Sequence, residues 1–294
     1  MNNYILSCCS TSDLNLDEYK KLDIEHIAFH YFMNDVEHID DNFTSITSDA
    51  FYNAMSNNVK TRTSQVNVEE FIVYFEKFLK ENKDIIHVTL SSGISGVINS
   101  ATTAAALLRE KYPARKIIIV DSLCGSGGYA LLMYKLSELR KNGHTIDELN
   151  DYAINNRLRI IHLLFPTDLR YFFSGGRVKK ALGFISNIIH FCPIIEANKE
   201  GKMVLKKKSI GKKHALSDLY DLFKETVDNG VNYNDLLIIA HAHMKDEAEE
   251  LKVKILSEFT NLKDKIKIME IGTTMGSHCG PGTMMLNYFG KLRK

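Results

Sequence analysis

The stretch DIIHVTLSSGISG, residues 84–96, decides the fold. Asp84–Leu90 is a short apolar run without alternation, the pattern of a strand buried on both faces, and a glycine-broken turn follows it. An Ala-rich segment, Gly96–Lys111, then reads as a helix, and KIIIV, Lys116–Val120, as the next strand. Asp121–Gly128 is a turn into a further helix over Tyr129–Asn142. Buried strands that alternate with helices imply βαβ units and a parallel sheet, so the chain is read as α/β. Working back toward the N-terminus, Tyr4–Leu6 and Ile24–Phe29 read as strands and Val68–Leu79 as an amphipathic helix.

Toward the C-terminus the texture changes after Leu158. Arg159–Phe165, Ile194–Ala197, Met203–Lys206, Leu236–Ala240 and Ile266–Ile271 are strand candidates, with helices near Lys212–Val227 and Asp246–Leu256. Leu182–Phe191 is apolar enough for a core helix. A chain of 294 residues is about twice the usual single-domain length, so two domains are expected, 1–157 and 158–294.

Composition narrows the function classes. Hydrophobic residues at 45% and charged residues at 25% are a globular balance. Thirty-seven Lys and Arg against 36 Asp and Glu leave a net charge of +1, too little to grip nucleic acid. The one basic cluster is KMVLKKKSIGKK at 202–213. No apolar run reaches the length of an integral membrane segment, and MNNYILSCCSTSDL lacks the features of a signal peptide. Five cysteines without a CxxC pair fit a reducing, cytoplasmic setting and no metal site. His241-Ala242-His243 would put two imidazoles on one strand face, but no ligand partner stands at metal spacing. Gly125-Ser-Gly127-Gly128 lacks the spacing of a dinucleotide fingerprint, and no P-loop sequence occurs.

Three loops are candidates for chemistry. Thr63-Ser64-Gln65 precedes the helix at Val68 and reads most simply as its N-cap. Ser91-Ser92-Gly93-Ile94-Ser95-Gly96 joins a buried strand to a helix, at the sheet end where open α/β proteins hold ligands. The helix N-terminus there offers unpaired N–H groups to an anion, with the Ser95 hydroxyl as a further donor. Gly276-Ser277-His278-Cys279-Gly280-Pro281-Gly282 sets a histidine among glycines and a proline, and reads as a rigid loop that presents the imidazole.

Together these segments resemble the DegV family of bacterial fatty-acid-binding proteins, the acyl-carrying subunits of fatty acid kinase. The resemblance runs nearly end to end. Besides the three loops it includes Val120-Asp121-Ser122, Asp168-Leu169 leading to Gly175-Gly176-Arg177, and Cys192-Pro193-Ile194-Ile195. It implies an N-terminal α/β domain, a C-terminal α+β domain, and a fatty acid between them. It further implies a carboxylate held by Thr63, Ser95 and His278, with Ser64, Gly93, Gly96, Gly276 and Gly280 shaping the supporting loops. Burying a sixteen-carbon chain at ~0.8 kcal/mol per methylene would contribute on the order of 10 kcal/mol, which asks for an enclosed apolar tunnel. The carboxylate at its mouth would need several donors to offset desolvation.

The resemblance also implies a partner, the ATP-binding kinase subunit that makes acyl phosphate for phospholipid synthesis, and no cofactor beyond the bound acid. Arg177, Lys207 and Lys208 are the expected partner contacts. The chain departs from the family pattern at Cys9-Ser10, where Asp-Ser is usual, at Val66 in place of Pro, and at Ile210 in place of Arg. Two other functions compete with the carrier. A serine hydrolase could use Ser95, Asp168 and His278, although Gly93-Ile-Ser95-Gly96-Val97 lacks the second glycine of a nucleophile elbow. A lipid sensor or scaffold with a different partner is the other.

Overall fold

The computed structural model describes residues 4–176 and 191–294. Arg177, and Leu182–Phe191 apart from Phe191 itself, therefore lie outside the described residues.

The segment that decided the fold forms β6 (Asp84–Thr89), the third strand of a four-stranded sheet ordered β2-β1-β6-β7. Its partners are β1 (Tyr4–Cys9), β2 (Glu25–Ile27) and β7 (Ile117–Asp121), and every pairing is parallel. The strand expected over Ile24–Phe29 is only three residues long, because the chain leaves the sheet early to build a second one. That second sheet is antiparallel and ordered β4-β3-β5, from β3 (His30–Met33), β4 (Val36–Ile39) and β5 (Thr61–Ser64).

Helices α1 (Leu16–Leu22), α2 (Ser48–Ser56), α3 (Val68–Lys80), α4 (Val97–Lys111), α5 (Ser126–Lys141) and α6 (Ile146–Asn156) accompany these strands. Helix α3 begins at Asn67, whose side chain accepts from the Glu70 N–H while Glu70 reaches back to the Asn67 N–H. Thr63-Ser64 is consequently not the N-cap. It ends strand β5.

A six-stranded mixed sheet, ordered β10-β9-β8-β13-β11-β12, occupies the C-terminal half. It comprises β8 (Ile160–Pro166), β9 (Ile194–Ala197), β10 (Met203–Lys207), β11 (Leu237–Ala242), β12 (Ile266–Glu270) and β13 (Thr283–Phe289). Strands β8 and β13 run antiparallel in the middle of the sheet, and all seven residues of each are buried. Helices α7 (Arg170–Gly175), α8 (Lys212–Thr226), α9 (Lys245–Leu256) and α10 (Thr273–Cys279) belong to this half. The fold is thus mixed α/β, with a parallel sheet in the N-terminal part and a further sheet in the C-terminal part. The paired histidines separate: β11 ends at Ala242, buried His241 stays in the strand, and His243 turns away with φ 57°.

Helix α5 ties the two halves together. It packs on both β1 and the strands β8, β11 and β13, and its first eight residues are buried all round. Gly127 and Gly128 make that approach possible: a Cβ on Gly127 would lie 2.5 Å from Asn287 Nδ2, and one on Gly128 2.8 Å from His162 Nδ1. The glycine run without a nucleotide fingerprint is therefore a packing device. Among the described residues, no helix is long and apolar enough to cross a membrane, and no group of three or more metal-ligating side chains occurs.

Candidate ligand-binding site

Strand β5 alternates partly buried Thr61 and Thr63 with exposed Arg62 and Ser64. Its inward hydroxyls meet the last turn of α10. Thr61 donates to the Ser277 carbonyl at 3.5 Å, and Thr63 Oγ1 lies 2.7 Å from His278 Nε2. His278 is thus held on a helix, not on the open loop expected from its glycines. Gly276 lets α10 settle against α2, since a Cβ there would lie 2.5 Å from Tyr52 Oη and 3.1 Å from Phe51 Cε1. Gly280 ends the helix at φ 72° beneath the Tyr171 ring, whose Cδ2 would meet a Cβ at 2.1 Å. On the other side of the imidazole, Gly175 of α7 comes so close that a Cβ would sit 2.6 Å from His278 Nδ1.

Ser95 lies just before the α4 N-terminus. Its hydroxyl donates to Gln65 Oε1 at 3.0 Å and accepts from the Val97 N–H at 3.2 Å. Gln65 in turn donates to Ser100 Oγ at 3.3 Å. Gln65, the third residue of the Thr63-Ser64-Gln65 candidate loop, therefore links the β5 segment to the α4 end. Gly93 allows a close approach between two turns: a Cβ there would lie 2.4 Å from the carbonyl of Gly201, in the β9–β10 turn. The neighbouring Ser91 hydroxyl donates to that same carbonyl at 2.9 Å. Gly96 leaves ordinary room beside Gln65, 3.4 Å from its Oε1.

Thr63, Ser64, Gln65, Ser95 and His278 line one cavity of about 320 Å³. That volume lies at the small end of the range for ligand sites. The remainder of the lining is mostly apolar, from Phe29, Leu90, Leu164, Phe172, Met275 and Met285 among others. Cys279 also lines it, as a thiol whose pKa burial pushes far up. His162 lies on the floor, buried, with its pKa pushed down to about 4 by desolvation, so the ring is neutral at neutral pH. Such a cavity suits an amphiphile, its apolar part among the methionines and leucines and its anionic end among hydroxyls and an imidazole.

The residues of the hydrolase reading are bonded to other groups, His278 to Thr63 among them. Asp168 accepts three hydrogen bonds from the Arg170 guanidinium, at 2.6, 2.9 and 3.1 Å, and the Ser95 hydroxyl donates to the Gln65 amide oxygen. Of the expected partner contacts, Lys207 pairs with Asp218 at 2.7 Å and Lys208 is exposed. Ile210 is 60% exposed beside them.

A family model described as "uncharacterised protein, DegV family" matches residues 9–291. A DegV domain-containing protein of Clostridium perfringens is 30% identical over an alignment of 295 positions that spans all of both chains. Two solved structures share the fold. A stearic acid-binding protein from Eubacterium ventriosum superposes with a TM-score of 0.86 at 21% identity, over 98% of each chain. A DegV family protein from Thermus thermophilus, reported for fatty acid binding, gives 0.85 at 20% identity, over 98% of this chain and all of its own.

Proposed function

The chain belongs to the DegV family, and from that premise we propose that it binds a long-chain fatty acid with the carboxylate at Thr63, Ser95 and His278. One observation carries the reading. Donors from three separate segments, β5, the α4 N-terminus and α10, line a single, largely apolar cavity. The hydroxyls of Thr63 and Ser95 are already oriented by His278 and Gln65, and each can turn its hydrogen to an incoming carboxylate without a large rearrangement. Charge-assisted bonds from two hydroxyls and an imidazole offset the desolvation of the head group. Thr63 and Ser95 belong to the unit 1–157 and His278 to 158–294, so the acid lies between the two in this reading.

The carrier has no catalytic step of its own here. It presents the carboxylate to a separate ATP-binding kinase subunit, which forms the acyl phosphate used in phospholipid synthesis. Hydroxyls and an imidazole hold the head group less tightly than a bidentate guanidinium would, which suits a group that must be passed on. Lys207, Lys208 and Arg177 are the proposed docking residues, with exposed Ile210 adding an apolar contact beside the two lysines.

Calorimetric titration of delipidated protein with oleate or palmitate tests the first part. Saturable uptake that is lost in His278→Ala supports the assignment, and unchanged affinity in that variant contradicts it. Formation of acyl phosphate from the loaded protein, ATP and a DegV-type kinase subunit tests the second part.

A further inference from the structure

The cavity holds a second polar station, away from the head-group residues. His162 on β8 stands opposite Asn287 on β13, with His162 Nδ1 2.6 Å from Asn287 Oδ1. The Asn287 Nδ2 donates to the Ile238 carbonyl at 3.3 Å. A carbonyl can only accept, so the amide nitrogen faces Ile238 and the amide oxygen faces His162. The proton of the neutral ring is therefore on Nδ1, and Nε2 is a bare lone pair.

That lone pair has no hydrogen-bond partner among the described residues, although His162 is only 1% exposed. The ring lines the cavity, and Gly127 and Gly128 press on the His162–Asn287 pair from behind and leave it no room to retreat. The lone pair opens onto the cavity, and an apolar chain that filled the cavity would bury it, which is costly unless something donates to it. Its position is also set. Thr283, at the start of β13, donates to the Cys279 carbonyl beside His278. Asn287 is four residues further along the strand, roughly 14 Å away at ~3.4 Å per residue. The apolar pair Leu164 and Met285 lies between the two stations.

We propose that the ligand is a fatty acid bearing a hydroxyl part-way along its chain, and that this hydroxyl donates to His162 Nε2. The inference rests on the fatty-acid reading above and adds to it a ligand class. An unsubstituted chain would lay methylenes against the lone pair and forfeit that bond. His162 and Asn287 are then specificity residues, distinct from the carboxylate donors.

The experiment is a competition. Delipidated protein is offered equal amounts of stearate, 10-hydroxystearate and 12-hydroxystearate, and the bound acid is quantified by native mass spectrometry. One hydroxy isomer should outcompete stearate by about tenfold, the scale of a hydrogen bond otherwise left unmade at a buried acceptor. In His162→Leu the preference should vanish while stearate is still taken up. A second measurement needs no variant: the ¹⁵N resonance of His162 Nε2 should shift when the hydroxy acid binds and stay in place with stearate. Uptake of stearate with no preference for either hydroxy acid, or with an unmoved Nε2 resonance, overturns this inference and leaves the proposed function intact. Refusal of all three acids overturns both.

Discussion

Thr63 and His278, 215 residues apart in the chain, lie 2.7 Å from one another and close the polar end of the cavity. The contact joins a strand of the first half to a helix of the second. Thr63→Val keeps the shape and removes the hydroxyl, which takes away a ligand donor and the imidazole's partner together. Fatty-acid affinity should fall about tenfold or more by titration, with the fold intact by circular dichroism. An unchanged affinity would place the carboxylate elsewhere.

Gly175→Ala should act on the same imidazole from the other side. The added methyl would lie 2.6 Å from His278 Nδ1, so the ring has to shift off Thr63. The expected result is weaker acid binding, again about tenfold, comparable with Thr63→Val. Full affinity in the alanine variant would show that Gly175 does not fix the ring.

Gly93→Ala separates architecture from ligand contact. Its Cβ would meet the Gly201 backbone at 2.4 Å, and backbone cannot swing aside as a side-chain tip can. A loss of about 1–3 kcal/mol in urea-unfolding stability is expected. Stability equal to the parent's would mean that the two turns are not held against each other.

The acid limb of the stability curve should report His162. Burial pushes its pKa down to about 4 in the folded chain, against ~6.5 when unfolded. As pH falls below ~6.5 the unfolded chain takes up a proton that the folded chain refuses. Stability present above that pH is therefore lost progressively toward pH 4. His87, pushed down to about 3, acts in the same direction. Asp13 opposes both, because burial holds its carboxyl well above the usual range and the folded chain protonates first. His162→Gln should remove about 2 kcal/mol of the stability difference between pH 6.5 and pH 5.0, measured by urea unfolding. An identical difference in the variant would mean that the ring titrates normally.

The parallel sheet was legible because apolar runs such as Asp84–Leu90 and Lys116–Val120 carry it without help from distant residues. The small antiparallel sheet was not. Thr61–Ser64 alternates polar residues with polar residues, so no hydrophobic period marks it, and its pairing with His30–Met33 is a matter of register. Strand β13 also went unread, because its TMMLNYF run follows directly on a glycine-rich segment taken as loop.

Thr63, Ser95 and His278 were named from a family resemblance, while the geometry that relates them was not visible in their spacing. His278 was mistaken for a loop residue. Its glycines at 272, 276 and 280 are four apart, which is the spacing of one helix face, and that signal was available. The His162–Asn287 pair could not be found from sequence, since only the antiparallel register of β8 and β13 brings the two together across 125 residues.

The central claim is that this chain carries one fatty acid in the cavity bounded by Thr63, Ser95 and His278. Native mass spectrometry of the purified protein, with organic extraction and identification of what is released, tests it most directly. The account predicts one long-chain fatty acid per chain, displaced or markedly depleted in His278→Ala. A protein that is empty as purified and takes up neither added oleate nor added palmitate would contradict it.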